Sequence, residues 1–473
     1  MTSKVSPSLI TLPVENIYRI LDHLDELTIF LSLRNVCMQL NTVVDTYERY
    51  QTSDSLKLSY GQLPHKIVQH LADVLLTNKT LITLNLATND IGNKEVQCLA
   101  NALQYNTTLR TLNLEVNKIG PEGAQYLANA LEKNQTLTNL ILICNDIGPN
   151  GVKHLSRALK ENNTLRMLNL RWNDIGPNGA KWLADALETN QTLMTLDLQG
   201  NSIGSKGTQY LASALQSNQG LTTLILRENL IDVEGIKYLT TALSKNRTLT
   251  SLDLVSNKIN FEGAQYLADA LRNNQTLLTL NLGKTDIDFE EVKYLASALK
   301  FNQTLTTLNL ENNDIGFEGA KYLADALLEN KGLKTLDLGW NNIGNEGAKY
   351  LANALHNNQT LMTVNLQSNA IRSPGVQYLA IALKNNETLT SLNFAYNEIA
   401  NRGVQYLADA LKENTTLKQL DLCRNQIYNQ GAEYLVDALL TNHTLTQVNV
   451  DNNSIDAEVL QNLLTGLENN RIQ

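Results

Sequence analysis

Several features that mark particular protein classes are scarce in this chain of 473 residues. Its four cysteines lie far apart in unlike positions, so their spacing indicates neither a disulfide framework nor a zinc site. No apolar run approaches the ~18 residues of a membrane-spanning helix, and residues 1–13 lack the apolar segment of a signal peptide. We therefore expect a soluble protein of the reducing cytoplasm or nucleus, without metal ligands, bound cofactors or a membrane partner.

Clustered basic residues are also absent from the sequence. The net charge is -9, with 38 Lys and Arg against 47 Asp and Glu interleaved along the chain, whereas a nucleic-acid-binding surface needs clustered Lys and Arg. H-E-x-x-H does not occur, and the glycines of residues 200–207 lack the spacing of a phosphate loop, while Gly204 and Gly207 occupy ordinary columns of the repeat. We therefore expect no nucleic-acid partner and no catalytic residue.

A 28-residue repeat dominates the chain. Its pattern, T-L-x-x-L-N-L-x-x-N-x-I-G-x-x-G-A-x-Y-L-A-x-A-L-x-x-N-x, recurs without a gap from Leu81 to Leu445 and extends back one further unit. Because a fixed period of this length indicates a repeat array, we predict one elongated repeat domain. The predicted organisation is a flexible N-terminus at 1–8, a helical module at 9–50, a capping repeat at 53–80 and fourteen repeats at 81–472.

Each repeat predicts one strand followed by one helix. Leu84 and Leu86 alternate with polar residues, which is the period of a half-buried strand. Residues 124–131 place apolar side chains at helical spacing between a glycine and an asparagine. The tyrosine that recurs in this helical segment is expected to pack between neighbouring helices.

Two asparagine columns accompany these elements. The first, from Asn78 to Asn470, stands at each predicted helix end, where we expect a C-cap in the left-handed conformation. The second, beginning with Asn89 and Asn117, follows each strand, and its amides are expected to bond backbone groups of the turn. Thr285 interrupts the second column, so residues 277–304 are predicted to be the least regular repeat.

These columns resemble leucine-rich repeats of the ribonuclease-inhibitor type, the class also found in the sensor domains of NOD-like receptors. The resemblance implies an α/β fold, a right-handed solenoid or horseshoe with a parallel sheet inside and helices outside. Elementary packing agrees, because a single repeat cannot bury either of its faces without neighbours.

The segment before the repeats carries a second pattern. Its three short apolar stretches are too few to build a core of their own. It resembles an F-box through Leu12, Pro13, Glu15, Ile20, Leu21, Leu24, Asp25, Val36, Cys37 and Leu40. The resemblance implies that Leu12, Pro13, Ile17, Ile20 and Leu24 bind a Skp-type adaptor and, through it, a cullin. The alternative is a helical cap that only shields the first repeat.

The surface of the repeats varies while the framework stays constant. The two residues before the second asparagine column differ from repeat to repeat. Because exposed Trp and Arg often anchor protein interfaces, we predict two patches at solvent-facing strand positions that bind a protein substrate. The first patch contains Ile141, Ile143, Arg171, Trp172, Ile225 and Arg227, and the second contains Trp340, Tyr396 and Arg424. Drift at unconstrained exposed positions is the alternative explanation.

Aspartates also recur at one strand position, in four repeats: Asp197, Asp253, Asp337 and Asp421. They lie two or more strands apart, about 10 Å at ~4.8 Å per strand, and no polarising partner is apparent, so they do not indicate an acid/base pair. The sequence therefore predicts a binding protein that is not an enzyme. Its expected role is the substrate-receptor subunit of a Skp-cullin-F-box ubiquitin ligase; the alternative is a leucine-rich-repeat scaffold or sensor.

Overall fold

A three-residue strand followed by a helix recurs along the whole of the computed structural model, which describes residues 54–60 and 62–472. The elements are β1 Ser55–Lys57, α1 His65–Thr77, β2 Thr83–Asn85, α2 Asn93–Leu103, β3 Thr111–Asn113, α3 Gly120–Leu131, β4 Asn139–Ile141, α4 Gly148–Glu161, β5 Met167–Asn169, α5 Gly176–Leu187, β6 Thr195–Asp197, α6 Gly204–Leu215, β7 Thr223–Ile225, α7 Val233–Leu243, β8 Ser251–Asp253, α8 Phe261–Asn273, β9 Thr279–Asn281, α9 Phe289–Leu299, β10 Thr307–Asn309, α10 Gly316–Leu327, β11 Thr335–Asp337, α11 Gly344–Asn357, β12 Thr363–Asn365, α12 Ser373–Asn385, β13 Ser391–Asn393, α13 Ala400–Leu411, β14 Gln419–Asp421, α14 Asn429–Leu439, β15 Gln447–Asn449 and α15 Ala457–Ile472.

The described residues divide into two compact units. The first contains residues 54–60, 62–203 and 217–221, and the second contains residues 204–216 and 222–472. In the first unit β1 to β6 pair in parallel in sequence order. In the second unit β7 to β15 pair in the same way. Paired residues are 28 positions apart, as for Leu84 and Leu112, so the strand-and-helix repeat predicted from the sequence is confirmed in both units.

The core of each unit lies between its strands and its helices. In the third repeat Leu112 and Leu114 point inward from the strand segment, while Leu127 and Leu131 point inward from α3, and all four are at most 2% exposed. Burying one such leucine side chain stabilises the fold by roughly 1.5–3 kcal/mol. Because every repeat supplies the same set, the core extends by one layer per repeat within each unit.

The helix starts are set by proline and glycine in several repeats. Proline occupies the first turn of α3, α4 and α5, where its missing N–H leaves no hydrogen bond unmade. In α4, a Cβ at Gly151 would lie 2.5 Å from Ile147 Cγ2 and 3.1 Å from Ala124 Cβ. Only glycine therefore allows the helix start to approach both the buried isoleucine and the preceding helix this closely.

The asparagine column at the helix ends does not adopt the predicted conformation. Asn78 and Asn162 are extended, with φ/ψ of -67/133° and -80/123°, and no member of the column has a positive φ. The amide group acts instead: Asn106 Nδ2 donates to Leu75 O at 2.7 Å, and Asn106 Oδ1 accepts from the N–H groups of Thr108 and Leu109. Asparagine is placed here to join one helix end to the preceding helix.

The second asparagine column forms the bonds predicted for it. Asn397 is fully buried; its Oδ1 accepts from the N–H groups of Asn369 and Ile371 at 2.9 and 3.0 Å, and its Nδ2 donates to Leu366 O at 2.7 Å. At the interruption, the Thr285 hydroxyl donates to Leu282 O at 2.6 Å, and β9 keeps its register with both neighbouring strands. The irregularity expected at residues 277–304 therefore leaves the strand pairing unchanged.

Candidate interaction surface

The predicted patch residues lie mostly beyond the strands, so their assignment to strand positions was partly wrong. Among them only Ile141 and Ile225 belong to strands, as the last residues of β4 and β7. The N–H groups of residues 114 and 116 still donate to the next repeat, at 2.9 and 2.8 Å, after β3 has ended. The backbone then turns because residue 116 and its equivalents have a positive φ, and this turn ends the extended segment.

This left-handed position recurs once per repeat. From residue 88 to residue 452 it has φ between 51° and 67°. Its occupants are Thr88, Val116, Cys144, Trp172, Gly200, Glu228, Ser256, Lys284, Asn312, Trp340, Ser368, Tyr396, Arg424 and Asn452. Left-handed backbone costs a residue with a Cβ roughly 1–2 kcal/mol. The sequence carried one signal of this conformation, because Gly200, Asn312 and Asn452 stand in the column and tolerate it best.

In the first unit, Ile141, Ile143, Arg171 and Trp172 occupy adjacent repeats. Ile141 pairs with Asn169, and Cys144 N donates to Arg171 O at 2.9 Å. Burial, and next the Glu115 carboxylate, raise the pKa of the Cys144 thiol, whereas Arg171 lowers it. Arg171 Nε is buried without a hydrogen-bond partner in the described part of the chain.

Trp172 rests on a glycine in the next repeat. A Cβ at Gly200 would lie 2.5 Å from Trp172 Cε3, so the indole packs directly against the Gly200 backbone. Trp172 remains 43% exposed. The sequence did not point to Gly200. Because this residue has no side chain, the Trp172 indole packs on its backbone and stays accessible to solvent.

The remaining two residues of the first predicted patch, Ile225 and Arg227, belong to the second unit. Ile225 is half-buried, and Arg227 Nε donates to Asp253 Oδ2 at 2.7 Å. The sequence had suggested no polarising partner for the aspartate column, and this ion pair corrects that interpretation for Asp253. Asn281 Nδ2 also donates to Asp253 Oδ2 at 3.0 Å, and Val255 N donates to Asp253 Oδ1 at 3.1 Å.

The second predicted patch is assembled within the second unit. The ring centroids of Trp340 and Tyr396 are 6.3 Å apart at an interplanar angle of 40°, although these residues are two repeats apart. The side chain of Ser368, in the intervening repeat, is small and leaves the two rings room to approach each other. Arg424 Cζ lies 5.2 Å from the Tyr396 ring centroid. Trp340 and Tyr396 are 48% and 40% exposed, so the patch combines two accessible rings with a cation.

The tyrosine column on the helices packs as expected from the sequence. Most of its members are half-buried, and lysines of the preceding helix cover several rings. Lys321 Nζ lies 5.6 Å from the Tyr350 centroid and Lys293 Nζ lies 5.6 Å from the Tyr322 centroid. These cation–π contacts join neighbouring helices.

The predicted adaptor-binding residues Leu12, Pro13, Ile17, Ile20 and Leu24 lie outside the described residues. Within the two described ranges, no group of three or more His, Cys, Asp or Glu side chains is placed to hold a metal ion. In the same part of the chain, no helix combines the length and the apolar character needed to cross a membrane.

Comparisons with known proteins identify the repeats. No curated protein matches the chain. The structure entitled Leiomodin-1 Actin-Binding Site 2 is 23% identical over 33% of this chain and 90% of that one, with a TM-score of 0.28. The Rad7 and Elc1 complex in yeast is 16% identical over 84% of this chain and 86% of that one, with a TM-score of 0.48. The family model Leucine Rich repeat matches residues 77–100, 105–128, 133–156, 161–184, 189–212, 245–268, 301–324, 329–352, 357–380, 385–408 and 413–436, which is more than half of the chain.

Proposed function

Because the chain belongs to the leucine-rich-repeat family, we propose that it binds a protein partner and performs no catalysis of its own. We further propose that the partner is a substrate and that the protein is the substrate-receptor subunit of a Skp-cullin-F-box ubiquitin ligase. The observation that carries the binding role is the cluster of Trp340, Tyr396 and Arg424. The F-box pattern of residues 9–50 supports the ligase role.

The cluster has the chemistry of an interface anchor. Two aromatic rings offer a large apolar area with few rotatable bonds, and the Arg424 guanidinium adds hydrogen-bond donors beside them. Trp340 and Tyr396 already contact each other, so little side-chain freedom is lost when a partner binds. A protein segment with an apolar or acidic side chain would fit this arrangement.

In the proposed complex the N-terminal segment and the repeats bind different partners. Leu12, Pro13, Ile17, Ile20 and Leu24 would contact the Skp-type adaptor through an apolar surface, and the adaptor would bind the cullin. The repeats would hold the substrate, so that ubiquitin transfer is carried out by other subunits. No cofactor is needed for either contact.

The adaptor role is tested by co-purification of the full chain with a Skp-type adaptor. The wild type should retain the adaptor, and the double variant Leu12→Ala with Pro13→Ala should lose it without a change in the far-ultraviolet circular dichroism spectrum. Deleting residues 1–50 separates this role from a cap: loss of adaptor with a folded remainder supports the ligase subunit, whereas aggregation supports the cap. A wild-type chain that never binds the adaptor rules out the ligase proposal.

The substrate role is tested by cross-linking followed by identification of the captured proteins. Trp172→Ala and Tyr396→Ala each remove one predicted anchor, and Tyr378→Ala is a matched control because that tyrosine is 42% exposed but lies on helix α12. The first two variants should lose partners that the control retains. If all three capture the same proteins as the wild type, neither patch binds the substrate.

A further inference from the structure

A groove on the helical side of the first unit carries chemistry that the strand-side patches do not use. It has a volume of about 420 Å³ and lies between α4 and α5. Grooves of this size accommodate small ligands or single side chains. Its α4 wall presents three cations, Lys153, Arg157 and Lys160, at helical spacing of four and three residues.

This cationic face is specific to the fourth repeat. At the position of Arg157, the other repeats carry Asp, Asn, Ser, Thr or Ile, so Arg157 is the one cation in its column. Arg157 Nη2 lies 3.0 Å from Glu132 Oε1, which holds the guanidinium in place. His154 occupies the tyrosine column, and burial, then Arg157 and Lys153, lower the pKa of its imidazole. The groove therefore gathers three cations around a histidine whose neutral form Arg157 and Lys153 favour.

A buried hydroxyl lines the same groove. Ser156 stands in a column where eleven of the fifteen repeats have alanine. It is 3% exposed, and its Oγ has no hydrogen-bond partner among the described residues. Thr240, at the same position three repeats later, satisfies its hydroxyl by donating to Ile236 O at 2.9 Å. An unpartnered buried hydroxyl costs stability, and a ligand in the groove would supply the missing partner.

The α5 wall supplies an aromatic ring and one opposing charge. Trp182 is half-buried, and Lys153 Nζ lies 5.0 Å from its ring centroid. Asp185, one turn further along α5, is the one acid that lines the groove. An anion bound to the cations of α4 would thus face the Trp182 indole on the opposite wall, and the Asp185 carboxylate would repel it at one end.

We propose that this groove binds an aryl phosphomonoester, with the phosphate held by Lys153, Arg157, Lys160 and the Ser156 hydroxyl, and the aromatic ring held against Trp182. Three cations favour a dianion over a singly charged carboxylate, and arginine matches the phosphate geometry. The source is either a phosphotyrosine side chain or a free phosphorylated metabolite. This site is independent of the ligase proposal because it shares no residue with the predicted patches.

The test uses Trp182 as its own reporter. The full chain with Trp172→Phe and Trp340→Phe retains one tryptophan, and its fluorescence is titrated with phenyl phosphate, inorganic phosphate and benzoate. Phenyl phosphate should bind at least about tenfold more tightly than either of the others, because each of them lacks either the ring or the second charge. An N-acetylated phosphotyrosine amide that binds more tightly than phenyl phosphate would identify a protein source, and equal or weaker binding a metabolite.

Three substitutions in this background make the test decisive. Ser156→Ala restores the residue of most repeats, so it should raise the melting temperature while lowering the affinity for phenyl phosphate severalfold. Lys153→Gln should lower the affinity about tenfold or more. The matched variant Lys321→Gln, whose lysine also covers the ring of the next repeat, should leave it unchanged. No saturable fluorescence change, equal binding of benzoate, or equal effects of the two lysine variants would each overturn the proposal.

Discussion

Replacing Thr285 by asparagine should stabilise the second unit. At this interruption no side chain in the described part of the chain accepts from the Asn257 N–H, whereas Asn313 Oδ1 accepts from the Thr285 and Ile287 N–H groups, each at 3.0 Å. An asparagine at 285 would restore the acceptor, and its Nδ2 would add a donor for Leu254 O. At about 1 kcal/mol for each net hydrogen bond, the gain is about 1–2 kcal/mol.

The gain is best measured by hydrogen exchange at the backbone amide of Asn257, because long repeat arrays need not unfold in one step. We expect exchange to slow by roughly 5- to 30-fold in Thr285→Asn. The reverse change, Asn397→Thr, is the matched control. It should remove the acceptor for Asn369 and Ile371 and cost about 2–4 kcal/mol.

Faster or unchanged exchange in Thr285→Asn would refute this reasoning, since it would mean that the amide cannot reach the backbone groups across one repeat. A similar refutation would come from an Asn397→Thr variant with the stability of the wild type. Either result would mean that the turn is stabilised by the buried leucines and not by this asparagine column.

Three further outcomes are expected from the packing of Trp172, the hydrogen bonds of Glu95 and the contacts of Tyr396. Gly200→Ala should lower the free energy of unfolding in urea by about 1–2 kcal/mol for left-handed backbone alone, and change the near-ultraviolet circular dichroism of Trp172; an unchanged free energy of unfolding would contradict the packing. Burial raises the pKa of the Glu95 carboxyl, but hydrogen bonds from backbone N–H groups and a histidine outweigh it and lower the pKa. The hydrogen bonds to the Glu95 carboxylate therefore stabilise the fold above the usual carboxyl pKa and are lost as the pH falls through the lowered pKa of the folded state. The difference in unfolding free energy between the wild type and Glu95→Gln should shrink over that range, and a difference independent of pH would contradict this. Tyr396→Ala should cost about 1–2 kcal/mol in thermal unfolding, through the lost ring pair and cation–π contact, and no loss would mean that Trp340 repacks without help.

The strand and helix positions could be predicted because every repeat imposes the same burial on the same columns. Leucines at Leu112, Leu114, Leu127 and Leu131 define which face is inside, and nothing outside the repeat competes with that pattern. The conformation of the polar columns could not be predicted in the same way. Asparagine suits both left-handed backbone and amide bonding, and at Asn106 the amide bonds decide the outcome.

The candidate surface was predictable in composition but not in geometry. The variability of Trp340, Tyr396 and Arg424 is visible in the sequence, and their ring contact across Ser368 depends on the spacing of repeats. The ion pair of Arg227 and Asp253 could not be predicted, because the sequence does not show which side chains bend toward a neighbouring strand. The packing of Trp172 on Gly200 depended on a backbone conformation that the strand assignment had excluded.

The left-handed position after each strand has a consequence for engineering. A variant library selected only for thermal stability should enrich glycine and asparagine there, because both relieve the backbone cost. At Trp172, Trp340, Tyr396 and Arg424 this gain competes with the loss of their packing contacts, and selection for stability alone does not preserve them as a binding surface. A thermostable version intended to keep its binding should therefore hold these four positions constant and draw its gains from the asparagine columns.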